Sequence, residues 1–115
     1  VRGPLEPQLD LSSLSWVHDE LRRSLDAAHK ALRRFVKEQE ALGASDVDVV
    51  DPGILRNARS SLHQGVGALE LVGLPEAAAM LRTAEAVVQR YLGKPHKLTP
   101  LAVEDIERAS FALLD

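Results

Sequence analysis

An all-α fold, an antiparallel four-helix bundle, is what this 115-residue sequence predicts, and three observations carry that reading. Apolar residues recur at spacings of three and four in four separate stretches, the period of a helix with one buried side. Hydrophobic residues make up 45% of the chain but aromatics only 3%, so a core must be built from Leu, Val and Ala, which favours packed helices over a sheet. The stretches are separated by short segments rich in Gly and Pro, and short connections make neighbouring helices antiparallel.

The opening Val1 to Gln8 carries two prolines and a glycine and has no periodicity. Residues 1–10 are expected to be a disordered leader or a remnant of expression, with the bundle domain over 11–115. Ser12 or Ser13 can cap the first helix. Leu14, Val17, Leu21, Leu25, Ala28, Leu32, Phe35 and Val36 then form its apolar stripe, and Gly43 suits its end. Ala44 to Val50 is a connector. Asp51-Pro52 supplies a cap followed by proline at the first helical position, opening a second helix that runs to about Val72.

Gly73-Leu74-Pro75 makes a tight turn into a third helix, whose face is Ala77, Leu81, Ala84, Val88 and Leu92 with Met80 and Val87 beside it. Gly93-Lys94-Pro95 ends that helix, and Thr99-Pro100 opens a fourth carrying Ala102, Ile106, Ala109 and Leu113. Its apolar pattern is still running at Phe111 to Asp115, which suggests a last helix truncated from a longer protein.

Composition also limits function. A formal charge of −3 and a pI near 5.8 argue against general nucleic-acid binding, which needs a basic surface. No apolar run is long enough to span a bilayer and no signal-peptide pattern is present, so direct membrane insertion is not expected. The absence of cysteine rules out disulfides and thiolate chemistry, and fits a cytoplasmic protein.

One residue stands apart. On a helical wheel of the second helix, Ile54, Leu55, Ala58, Leu62, Gly65, Leu69 and Val72 fall within a stripe about 100° wide. His63 projects about 130° from its centre, with Arg56, Arg59, Gly67 and Glu70. A core histidine would sit in the stripe; His63 should face water. Gly67, one turn further on, contributes nothing to the core there. Glycine inside a helix costs about 0.5–1 kcal/mol against alanine, so either an approaching partner needs the space or the residue has drifted neutrally. Gly65 lies in the stripe and should permit tight helix packing.

The segment Leu62-His-Gln-Gly-Val-Gly resembles the phosphorylation helix of the histidine phosphotransfer (HPt) family, whose pattern is His-x-x-Lys-Gly and an apolar run to Gly-Leu. His63 corresponds to the phosphorylated histidine, Gly67 to the glycine and Gly73-Leu74 to the following turn; Val66 stands in place of the lysine. The His-Gln-x-x-Gly form is similar to N-terminal domains of the ChpA/CheA-like hybrid histidine kinases of type IV pilus systems. The resemblance implies an HPt-like bundle and phosphoryl relay between His63 and either the parent's kinase domain or the aspartate of a response-regulator receiver domain. It places Gly67, Arg59, Gln64, Val66 and Glu70 on the supporting surface. Arg59, one turn before His63, can partly replace the lost lysine. Equally, loss of the lysine suits a scaffold that binds a signalling partner without being phosphorylated.

No phosphate-binding Gly-rich loop and no cluster suited to Mg²⁺ is present, so no autonomous catalytic site is expected here, and ATP and Mg²⁺ would belong to partner domains. No metal site is expected either. His18 and His29 lie three turns apart, too far for one ion. They are expected at the edge of the apolar stripe, and His96 lies in a loop. Asp46, Asp48 and Asp51 are explained by turns and capping. Trp16 projects about 140° from the apolar centre of its helix. It can anchor an interface, or pack beneath the leader or the final helix. Phe111 is off the main stripe of its own helix, as if awaiting a continuation.

Overall fold

The computed structural model of the chain describes residues 11–43 and 50–115, so the expected leader and most of the connector, with Asp46 and Asp48, lie outside the described residues. Four helices follow in order: α1 (Leu11–Leu42), α2 (Gly53–Leu71), α3 (Pro75–Gly93) and α4 (Pro100–Phe111), with short 3-10 turns at Pro95–Lys97 and Ala112–Leu114. The fold is an all-α helical bundle. α1 and α3 embrace α2 over most of its length, while α4 leans on α1 and α3 through a much smaller area.

The ends follow local chemistry. α1 includes Ser12 and Ser13 in its first turn, so neither serine caps it in the way the sequence suggests. Gly43 closes the helix at φ 64°, donating to Glu40 O at 3.1 Å. At the start of α2, Pro52 stands at the N-cap and Gly53 is the first helical residue, one position later than the sequence suggests; the Asp51 carboxylate still takes up an orphan donor, accepting from the Gly53 N–H at 2.9 Å. Gly73 takes φ 78°; the Leu74 N–H reaches Leu69 O at 2.9 Å and the Gly73 N–H reaches Glu70 O at 3.1 Å. This pair of bonds is a Schellman turn, which demands a left-handed residue where the sequence has glycine. Thr99 Oγ1 accepts from the Ala102 N–H at 3.2 Å, with Pro100 opening α4.

Burial enlarges the expected faces. In α2, Val66 and Ala68 are buried as well as Ile54, Leu55, Ala58, Leu62, Gly65 and Leu69. These residues cover about 160° of the wheel, as a helix enclosed on two sides requires. Gly65 is where that enclosure is tightest: a Cβ there would stand 2.8 Å from Leu81 Cδ2 of α3 and 3.3 Å from Leu21 Cδ1 of α1. In α3 the buried residues are Ala78, Leu81, Ala84 and Val88, whereas Ala77 is half-buried and Met80 exposed. In α4 they are Val103, Ile106 and Ser110, so this helix is rotated from the expected Ala102, Ile106, Ala109, Leu113 face. Leu14 of α1, expected in the apolar stripe, is 39% exposed.

The rotation of α4 has a visible cause. Phe111 stacks on His29 of α1, ring centroids 4.5 Å apart. His29 is accordingly buried, not at the boundary. Beside it, Arg33 forks onto the Glu107 carboxylate at 2.7 and 2.6 Å; further along α1, Gln39 Nε2 donates to Leu98 O at 3.0 Å. Neither ring nitrogen of His29 has a hydrogen-bond partner among the described residues, and Nδ1 is 3.8 Å from Glu107 Oε1. Burial pushes the His29 pKa below its ordinary 6.5; nearby Arg33 acts in the same direction, and Glu107 and Asp26 oppose it.

Two outcomes follow from this packing. Gly67→Ala, where a Cβ meets nothing within 4 Å, should raise stability by about 0.5–1 kcal/mol. Gly65→Val should lower it by roughly 1–3 kcal/mol through overpacking, both measured by urea unfolding. For His29, the folded state holds its proton less tightly than the unfolded chain. Its contribution to stability is full above pH 6.5 and is lost as pH falls through the lowered folded value. His29→Leu should therefore flatten the decline in stability between pH 7 and 5.

Candidate functional site

α1 and α3 cover one side of α2, and a broad strip on its other side reaches solvent. Arg56, Ser60, His63, Gln64, Gly67, Glu70 and Leu71 lie on or beside that strip, and all are exposed. His63 stands on the strip as its position on the wheel predicts, with 71% of its side chain exposed.

The ring is held from one side. Both Glu85 carboxylate oxygens, from α3, approach His63 Nδ1, at 3.1 and 3.2 Å. An ionised carboxylate only accepts, so the proton of a neutral imidazole sits on Nδ1, and Nε2 keeps its lone pair. Glu85 is 17% exposed by its side chain, against 71% for the histidine, so the acid forms a fixed wall and the ring projects from it. Arg59 is directed to the same carboxylate, with Nη1 4.0 Å from Glu85 Oε2. Its Nε is buried with no hydrogen-bond partner among the described residues.

The remaining expected residues divide. Gly67 is exposed and surrounded by open space. Gln64 is exposed at the far edge of the strip. Glu70 pairs with Arg82 of α3, which turns it toward the flank on which Glu85 stands. Val66 does not belong to the surface: it is 1% exposed and part of the core. Its place on the wheel, about 60° from His63 toward α3, puts it beneath the helix pair, and an apolar residue is what that position asks for.

Glu85 and Arg82 are the residues that sequence reasoning missed. Both come from a different helix, so no short motif contains them. A signal was present nonetheless. His63 and Glu85 are equidistant from Leu74 along the chain, the relation of facing positions in an antiparallel helical hairpin.

At the other end of the strip, Trp16 of α1 and Leu71 of α2 line an open groove with Glu70 and Gly73. Trp16 is 44% exposed and Leu71 77%. Among the described residues no group of three or more His, Cys, Asp or Glu is arranged to hold a metal ion, and no helix is long and apolar enough to cross a membrane. Compared with family models, with curated proteins and with solved structures, the chain matches none of them.

The burial of Val66 makes a valine at this position a matter of packing. Val66→Lys should cost on the order of 1–3 kcal/mol, because the ammonium must leave a closed core or remain in it without a partner. A fall in thermal midpoint is the expected result.

Proposed function

We propose that the chain is a histidine phosphotransfer domain with His63 as the residue that carries the phosphoryl group. The observation that carries the reading is the presentation of His63: an exposed imidazole whose Nδ1 is fixed by a carboxylate and whose Nε2 has no hydrogen-bond partner among the described residues, beside a bare Gly67.

The step this arrangement suits is an in-line displacement. The Nε2 lone pair attacks the phosphorus of an aspartyl phosphate on a receiver domain, or of the ATP γ-phosphate held by a kinase domain. A P–N bond forms as the P–O bond to the leaving oxygen breaks, and the bonding pair departs on the carboxylate or on ADP. The ring keeps its Nδ1 proton throughout, and the positive charge it gains is offset by Glu85 at hydrogen-bond distance. The metal and the other phosphate contacts belong to the partner, as does the catalysis of the step. The parent protein in this reading is a chemosensory hybrid kinase of the kind linked to type IV pili, acting in the cytoplasm.

One observation favours a second reading. Arg59, the cation nearest to His63 on the same helix, is directed to Glu85, and Val66 is buried. A bundle that binds a signalling partner without taking phosphate fits that arrangement.

Labelled transfer separates the two. Incubation with phosphorylated receivers, or with a kinase core and ATP, should put acid-labile, alkali-stable label on the domain, and His63→Gln should abolish it. Glu85→Ala should slow labelling roughly 10–100-fold, the equivalent of about 1.5–3 kcal/mol for a hydrogen bond to a charged group. Its ¹⁵N imidazole spectrum should show the Nδ1-protonated form losing its dominance, which a merely structural role for Glu85 would not produce. Binding of a receiver with no label under any donor would support the scaffold.

A further inference from the structure

Among the described residues His29 is the one buried histidine, and the chemistry of His63 makes no use of it. It is 5% exposed, in the seam between α1 and α4, with its ring stacked on Phe111. Neither ring nitrogen has a hydrogen-bond partner among the described residues. A neutral imidazole carries one donor and one acceptor, and burying both unpaired costs free energy. The charged ring, with two donors, loses more. The seam therefore suits His29 as an aromatic surface and does not suit its cation.

The carboxylate beside the ring is already taken. Glu107 Oε1 lies 3.8 Å from Nδ1, while Arg33 holds both carboxylate oxygens, at 2.7 and 2.6 Å. The charged groups that act on the ring are Arg33 and Asp26 of α1 and Glu107 of α4. The 3-10 turn Ala112–Leu114, which also packs on α1, brings only apolar side chains. Burial outweighs the two acids, so the docked ring resists protonation. Once protonated, it finds an acceptor by drawing Glu107 from Arg33 or by meeting water. Water reaches it when Phe111 lifts away.

The two ends of α4 are unequally secured. At its start, Gln39 Nε2 donates to Leu98 O and Thr99 caps the helix. At its other end the ties to α1 are the Phe111 stack and the Arg33 fork, and both converge on His29. α4 also has the smallest interface of the four helices. We propose that protonation of His29 opens residues 107–114 away from α1, hinging at Leu98 and Thr99, while α1, α2 and α3 stay packed together. Docking is complete above pH 6.5 and is lost as pH falls through the lowered value of the docked ring. The device is separate from His63, which stands on α2 facing water.

Amide hydrogen exchange, followed by NMR on the whole chain and corrected for the intrinsic effect of pH, tests this. A half-helix this short does not keep its hydrogen bonds once undocked, so opening is read as exchange. For a ring that ionises normally when released, a change from pH 7.5 to 5 can multiply the open population by at most about thirtyfold. The expected result is a fall of about three- to thirtyfold in the protection of amides 107–111, with α2 and α3 changed less than about twofold. His29→Phe keeps a ring against Phe111 and cannot ionise, so it should abolish the fall. Arg33→Gln leaves Glu107 to the protonated ring and should shrink the fall. Arg33 is 66% exposed by its side chain, so this variant folds even if His29→Phe does not. Protection of α4 that does not change with pH overturns the proposal. So does a fall that survives His29→Phe, one that is undiminished in Arg33→Gln, or one shared equally by α2 and α3, which marks unfolding of the whole bundle.

Discussion

At Gly65 the middle helix runs so near both neighbours that a single methyl group would press on Leu81 from one side and Leu21 from the other. That approach decides much else. It lets α1 and α3 wrap α2 until about 160° of its circumference is buried, and so leaves one strip for contact with water. It draws Val66 and Ala68 into the core, and brings α3 close enough for Glu85 to reach His63 and Arg82 to reach Glu70. The histidine is exposed because it lies on the side of α2 that neither neighbour covers.

Two glycines two residues apart therefore do opposite things. Gly65 is small because the interior has no room, and Gly67 is small where there is room to spare. Both weaken the helix by similar amounts in isolation. The first loss is offset by the packing it allows, through contacts of buried Leu21 and Leu81. The second has no internal offset.

Much of this was legible in the sequence, for reasons that differ by element. Gly43, Asp51, Gly73 and Thr99 mark helix ends because each has a backbone or side-chain property the end requires, and those marks are local. The exposure of His63 was legible because helical periodicity places it far from the stripe. The rest depended on neighbours. Val66 lies at the edge of the stripe, where burial turns on whether a second helix covers that flank. α4 offered weaker evidence, since Ala102, Ala109 and Leu113 make as good a periodic face as Val103, Ile106 and Ser110. The stacking of Phe111 on His29 chose between them, and periodicity contains no information about a partner on another helix.

The forked pair between Arg33 and Glu107 joins residues 74 positions apart, whereas the Schellman turn at Gly73 joins α2 to α3 through almost no intervening chain. Closing a long loop costs entropy that grows with the logarithm of its length, and the reward here is a small interface. What fixes α4 is mainly on α1, where Phe111 meets His29 and Glu107 meets Arg33, with a smaller contact to α3. The hairpin at Gly73 draws on local contacts, whereas α4 closes a long loop for a small interface, and it is the helix most easily released from the bundle.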